Sequence, residues 1–243
     1  MLNIMKKIFT TIILLILYIS LNSFTIKEKL LEAKDGQYIV IEQNKMYSVL
    51  SIYKISKDYL VIEEASILKN MFNKSLSFKG WFEAKVKNAN SHILYKIDLN
   101  NNKIIKSYSF TKKSFIALKD DENIIIQLLK LNLKKLSNDE RKKIGPLLSN
   151  EERDRRKIFN PVKIVNNKKI KNTNFEVYRG VFPNNSTPFA NKKIEFYFDK
   201  NSSFFFPYFI EIDTGNISMI IKAIDSGDNL KSSISQNDRK INF

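Results

Sequence analysis

The chain has no cysteine, one histidine (His92), one tryptophan (Trp81), six glycines and five prolines among 243 residues. Without thiols there is no disulfide framework, no lipid-modified N-terminal cysteine and no thiolate metal site. A single imidazole excludes any site that needs two, such as the His pairs of zinc proteases. The glycines stand at 36, 80, 145, 180, 215 and 227. Their spacing fits neither a dinucleotide fingerprint nor a phosphate-binding loop, and each suits a turn. No Gly-x-Ser-x-Gly elbow accompanies His92. Arginine is scarce as well: Arg141, Arg153, Arg155, Arg156, Arg179 and Arg239 are the only six among 41 basic residues. The net charge of +16 therefore rests on lysine, a point charge, rather than on the planar fork that grips phosphates bidentately. Such a balance suits a solvated basic surface or an anionic envelope partner. No nucleic acid, metal or cofactor is implied.

What the sequence does have begins at its N-terminus. Lys6 and Lys7 precede Ile8 to Leu21, an apolar run broken only by Thr10, Thr11 and Ser20. Fourteen residues is the length of a signal-peptide core and short of the ~20 a membrane-spanning helix needs. A cut after Ser23 would leave a small residue at −1 but bulky Leu21 at −3. Residues 1–23 are thus a signal peptide or, stretched to Phe24 and Ile26, an N-terminal anchor. The chain is expected to be exported, to the periplasm or cell envelope of a bacterium, where domains dispense with disulfides more readily.

Residues 24–119 read as a β-rich half. Tyr38 to Glu42, Met46 to Lys54, Tyr59 to Glu64, Trp81 to Val86, His92 to Leu99 and Lys103 to Phe110 are short β-branched and aromatic runs separated by turn residues. Asn100-Asn101-Asn102 closes a hairpin, because Asn tolerates left-handed backbone. Residues 120–157 form a helical basic segment. Asp120-Asp121-Glu122 precede the apolar Ile124 to Leu133, and both Ser137-x-x-Glu140 and Ser149-x-x-Glu152 have capping-box spacing. Strands return in residues 158–228, at Val162 to Val165, Phe175 to Phe182, Ile194 to Asp199, Tyr208 to Asp213 and Ile217 to Ile224, with Asp213-Thr214-Gly215-Asn216 as a turn. Residues 229–243 read as a polar, frayed tail. The fold class is mainly β with a short helical insert (α+β), its alternating strands typical of an antiparallel sheet.

Four constellations bear on function. His92 falls with Leu94, Lys96 and Asp98 on the polar face of its strand, the pattern of a surface residue. Glu63 and Glu64 are adjacent on a strand, point to opposite faces and cannot work as a pair; the acids at 120–122 suit a helix start. Lys130 to Lys171 holds fourteen basic residues against five acids, more than half of the excess charge. Lys134, Lys135, Lys142, Lys143, Arg155 and Arg156 are its candidates for contact with an anionic surface. Last, Phe204-Phe205-Phe206-Pro207-Tyr208-Phe209 is too aromatic for one buried strand face. Either both faces are core, or one lines an apolar ligand cavity, for which Phe196, Phe198, Phe204, Phe206 and Tyr208 are the candidates.

Some of these runs resemble known families. Gly36-Gln-Tyr-Ile-Val-Ile-Glu, Tyr59-Leu-Val-Ile-Glu-Glu, Ile194-Glu-Phe-Tyr-Phe-Asp-Lys and Phe209-Ile-Glu-Ile are similar to segments of outer-membrane lipoprotein-sorting proteins. That likeness implies a curved half-barrel and a lipid or lipoprotein partner. Trp81, Tyr95-Lys-Ile-Asp-Leu, Tyr108-Ser-Phe, Ile144-Gly-Pro and Ile224-Asp-Ser-Gly resemble a group of exported proteins of chlamydia-like bacteria, a likeness that implies no activity. The two functional expectations are an envelope protein that binds a lipid or lipidated ligand, and a structural or interaction protein that docks on anionic surfaces. Neither is an enzyme, and neither fixes an oligomeric state.

Overall fold

The structure, a computed structural model, describes residues 23–24, 26–146, 156–171, 173–184, 189–202, 204–215 and 218–234. The strands are β1 (Ser23–Phe24), β2 (Tyr38–Gln43), β3 (Met46–Ile55), β4 (Tyr59–Leu68), β5 (Ser91–Asp98), β6 (Lys103–Ser109), β7 (Ser114–Phe115), β8 (Leu133–Lys135), β9 (Lys143–Ile144), β10 (Lys157–Ile158), β11 (Lys163–Val165), β12 (Lys168–Ile170), β13 (Phe175–Val181), β14 (Lys193–Asp199), β15 (Phe209–Asp213) and β16 (Ser218–Gly227). Three short helices accompany them: α1 (Ile26–Leu31), α2 (Phe78–Glu83) and α3 (Ile124–Leu129).

Twelve strands form one antiparallel sheet in the order β1-β8-β13-β14-β15-β16-β2-β3-β4-β5-β6-β7, which does not close into a barrel. It consists of two meanders, β2 to β7 and β13 to β16, joined where β16 pairs with β2 from Lys222↔Glu42 to Gly227↔Tyr38. The expected antiparallel β-rich fold with a helical insert is therefore present. Local chemistry explains the turns. Asn44, Asn102, Asn166 and Asn167 all have positive φ. Asn166-Asn167 alone spans Val165 and Lys168, a two-residue hairpin turn of the kind Asn favours. At the β5–β6 turn Asp98 Oδ1 accepts the Asn100 and Asn101 amides at 2.7 and 3.1 Å.

The inner face of the first meander contributes Ile39, Ile41, Leu50, Ile52, Leu60, Ile62, Tyr95 and Ile97 to the main core, and the second contributes Phe196, Phe198, Ile210 and Ile212. Ile26 and Leu30 of α1 and Ile125, Ile126 and Leu128 of α3 join the same cluster, so the sheet wraps around these two helices. The outer face is covered too. Trp81 and Phe82 of α2 and Leu230 pack on Tyr38, Val40, Val49 and Ile67. Phe159 stands edge-on to Tyr197 and Phe209, with ring centroids 5.5 and 5.1 Å apart.

Several local expectations change. Trp81 lies in a helix rather than a strand. Ser77 caps it, its Oγ accepting the Gly80 amide at 2.9 Å, and Phe78, Trp81 and Phe82 have the i, i+3, i+4 spacing of one helix face. The Ile124 to Leu133 run is helical only to Leu129, and its end supplies β8. Ser137-x-x-Glu140 closes a single turn: the Ser137 amide donates to Glu140 Oε2 at 2.9 Å, but the chain then enters β9. The second capping box, at Ser149, lies outside the described residues, as do residues 1–22. The chain after Gly227 is not frayed where it is described, for Leu230, Ser233 and Ile234 are all buried.

The aromatic run is a connection between β14 and β15 rather than a two-faced strand. Its rings pack in sequence, Phe204 to Phe205 at 5.4 Å and Phe205 to Phe206 at 6.0 Å between centroids. Phe205 and Phe206 are 1% and 2% exposed. Truncating either to Ala is expected to cost about 3–5 kcal/mol, because each leaves a cavity in a packed interior. Urea unfolding midpoints of the two variants check this; a loss confined to one of them would mean that the other ring borders open space.

Candidate functional site

All five residues expected to line an apolar cavity are 5% exposed or less. Phe196, Phe198 and Phe206 border none of the three surface cavities described here; Phe204 and Tyr208 border one of them, a cleft of about 490 Å³. Its wall is polar, with Lys34, Gln37, Asn201 and Asn229. Beneath it Tyr208 meets Ser226 Oγ at 3.2 Å, Ser226 Oγ donates to the Ile164 carbonyl at 2.8 Å, and Lys163 pairs with Asp199. Burial pushes the Tyr208 phenol above its ordinary range.

His92 is the sharpest departure from expectation. It lies on the predicted face of β5 but is buried, because residues 233–234 and Phe110 cover that face. Its Nε2 is 2.9 Å from Glu63 Oε1 and 3.1 Å from Ser233 Oγ. Glu63 Oε1 also accepts the Ser233 amide at 3.1 Å and the Ser233 hydroxyl. The three residue types suggest a hydrolase, but the geometry does not serve one. A general-base histidine holds its carboxylate on one ring nitrogen and the nucleophile on the other. Here both crowd Nε2 and the hydroxyl proton goes to the carboxylate, so the cluster fastens the C-terminal segment to the sheet. Glu64, on the opposite face as expected, accepts the Tyr95 hydroxyl at 3.3 Å. Among the described residues no group of three His, Cys, Asp or Glu side chains could hold a metal.

The basic candidates are spread over the segment from β8 to β10. Lys134 and Lys135, successive residues of β8, face opposite ways: Lys134 Nζ binds Glu140 Oε1 at 2.8 Å, whereas Lys135 pairs with Glu176. Lys134 and the Ser137 amide hold the Glu140 carboxyl down at about 2. Lys142 Nζ grips both oxygens of Glu211 at 2.7 and 2.9 Å. Lys143 sits in β9, Arg156 is half-buried just before β10, and Arg155 lies outside the described residues. Two of these acids, Glu176 and Glu211, lie beyond the basic segment, so counting charge along the sequence overstated its unpaired excess.

The edge of the sheet brings together groups that sequence distance concealed. β1 lies on β8, with Ser23↔Lys134 and Phe24↔Leu133, and β8 lies on β13, with Lys134↔Arg179 and Lys135↔Tyr178. Beside this edge is a cavity of about 530 Å³ lined by Lys130, Asn132, Lys134, Leu136, Arg179, Gly180, Val181 and Pro183. A Cβ on Gly180 would stand 2.9 Å from Leu133 Cδ2, so that the leucine side chain would have to shift. Arg179 holds Glu195 Oε1 through Nε at 3.0 Å and Nη2 at 2.6 Å. Arg179 and Val181 carried no sequence signal, because strand pairing rather than proximity along the chain brings them to Lys134.

A mainly β protein with one open sheet, two meanders and three short helices is thus defined. The family model described as CT021 protein matches residues 48–171, just over half of the chain, and the chain belongs to that family. The crystal structure of the hypothetical protein CT021 from Chlamydia trachomatis, at 2.0 Å resolution, has the same fold: TM-score 0.62 at 20% identity, over 87% of this chain and 96% of that one. A search of curated proteins finds no match. These comparisons carry the likeness to proteins of chlamydia-like bacteria; neither carries a likeness to lipoprotein-sorting proteins.

Ser233→Ala is expected to lower stability by about 1.5–3 kcal/mol, the worth of a hydrogen bond to a charged group, and Glu63→Ala by more, because it strands both partners. Denaturant melts, with hydrogen exchange of residues 228–234, check this. Unchanged stability would mean that the segment is held by Leu230 and Ile234 alone.

Proposed function

We propose that this protein is an exported component of the bacterial envelope that docks on the anionic surface of a membrane through the edge formed by β1 and β8. One observation carries the reading. Ser23, the last residue of the leader, and Phe24, which follows it, form the strand laid along Lys134 and Leu133. The end of the leader therefore lies on the basic edge of the sheet, beside Lys134.

The charge supports it as well. Lys134 and Lys135 are exposed, and β8 lies within the segment that holds more than half of the excess positive charge. A lysine close to an anionic membrane contributes about 1 kcal/mol, and the attraction fades within a Debye length. Lys142, bound to both oxygens of Glu211, adds less. The role needs no reacting group.

The chain beginning at Ser23, which keeps every described element, is expected to bind vesicles containing anionic phospholipid and to release them as salt rises. Lys134→Gln with Lys135→Gln should abolish binding with only a small fall in melting temperature, from the lost pairs to Glu140 and Glu176, and with an unchanged circular dichroism spectrum. Vesicle co-sedimentation across a salt series measures this; binding by the double variant equal to that of the wild type would sink the docking role.

A further inference from the structure

We infer that the cavity between the end of α3, β8 and β13 is a specific seat for the phosphate headgroup of an anionic membrane lipid, with the lipid's apolar part against Val181 and Pro183. This rests on the docking role proposed above and adds a defined site to it.

Sign of charge separates this cavity from the other two. The polar cleft at Tyr208 includes Asp35 and Asp228 in its wall, and the third cavity, of about 350 Å³, includes Asp35 and Glu63. Carboxylates in those walls repel an anion. The β8–β13 cavity has Lys130, Lys134 and Arg179 and no acid in its lining.

Two of its three cations keep binding capacity. Arg179 spends Nε and Nη2 on Glu195, and Nη2 also lies 3.4 Å from the Glu140 carbonyl, while Nη1 has no partner among the described residues. Glu195 holds the guanidinium in place before any ligand arrives, which lowers the ordering cost of binding. Lys130 Nζ has only a loose contact with Asp121, at 3.9 Å. Lys134, tied to Glu140, contributes field rather than a free donor.

The rest of the lining, Asn132 apart, is apolar. Val181 is 54% exposed at the end of β13, and Pro183 is exposed beside it. Leu136 closes the floor. A lining that combines cations with aliphatic side chains fits an amphiphile better than a free anion. A volume of about 530 Å³ accommodates a headgroup and its glycerol, within the usual range of small-ligand pockets. The site also lies on the edge where β1, which contains the end of the leader, pairs with β8, and a membrane docked there would bring lipid to it.

The test uses the full-length chain in phosphatidylcholine vesicles that contain a photoactivatable phosphatidylglycerol, with labelled peptides mapped by mass spectrometry. Labelling is expected to concentrate on residues 130–136 and 179–183. Lys130→Gln should lower that labelling about fivefold, the equivalent of about 1 kcal/mol per lysine. Val181→Asn should lower it without changing charge, and Lys168→Gln, the same charge change elsewhere in the basic segment, should leave it unchanged. All three variants should melt with the wild type, since the altered side chains are exposed. Labelling spread evenly over Lys134, Lys142 and Lys168, and indifferent to Lys130→Gln and Val181→Asn, would remove the specific seat and leave the docking role standing. No labelling anywhere in residues 130–183 would remove both. Thermal stabilisation by inorganic phosphate without lipid labelling would make the cavity a free-anion site and overturn the lipid assignment.

Discussion

Everything in this fold depends on the pairing of β16 with β2, strands near opposite ends of the chain. Without it the chain would be two small meanders, each with an open edge; with it, twelve strands share one sheet and one main core. The junction is tight. Tyr38 faces Gly227 across it, and a Cβ at Gly227 would stand 2.6 Å from Asn166 Oδ1 and 2.7 Å from Tyr38 Cε1. The β11–β12 hairpin is laid over the joint, its Asn166 amide on the Ser226 carbonyl at 2.9 Å and its Asn167 amide on Asp225 Oδ1 at 3.0 Å. Burial raises the Asp225 carboxyl above its ordinary range, so this polar contact costs desolvation that the hydrogen bonds partly offset. The Glu63–His92–Ser233 cluster then fastens the segment that follows β16 to the far side of the first meander.

Joining the meanders also sets where function can reside. The inner face is filled by α1, α3 and the aromatics of β14 and of the β14–β15 connection, and the outer face is covered by α2, Phe159 and the C-terminal segment. What stays open are the two edges of the sheet, at β7 and at β1 and β8, and the second has the basic cavity beside it. A lysine-rich chain could present positive charge anywhere, yet several of its lysines meet carboxylates from other elements, as Lys135 meets Glu176 and Lys142 meets Glu211. The β8–β13 cavity has three cations and no acid in its wall, the partners of Lys134 and Arg179, Glu140 and Glu195, lying outside it.

Much of the fold was legible in the sequence because it is governed by local rules. Alternation identified the strands from Tyr38 to Asp98, and the asparagine turns placed hairpins where the backbone needs positive φ. Opposed faces for Glu63 and Glu64 followed from the two-residue period alone. Errors arose where tertiary cover or a competing period decided. Phe78, Trp81 and Phe82 carry helical spacing inside a stretch whose aromatics suggest a strand, and the Ser77 cap settles it. His92 has polar neighbours along its strand, and Phe110 together with a segment some 140 residues later buries it. The candidate site was half legible. Lys134 was visible as part of a basic run, whereas Arg179 and Val181 reach it through register, which no composition reveals.

The central claim is that this protein meets a membrane through one particular edge of its sheet. Hydrogen exchange of the chain with and without anionic vesicles tests it most directly, since it reports every segment at once. Added protection is expected in residues 130–136 and 178–183, with no change in β6 and β7 at the opposite edge. Protection at β6 and β7 instead, or no segment protected under conditions where the vesicles bind, would contradict it.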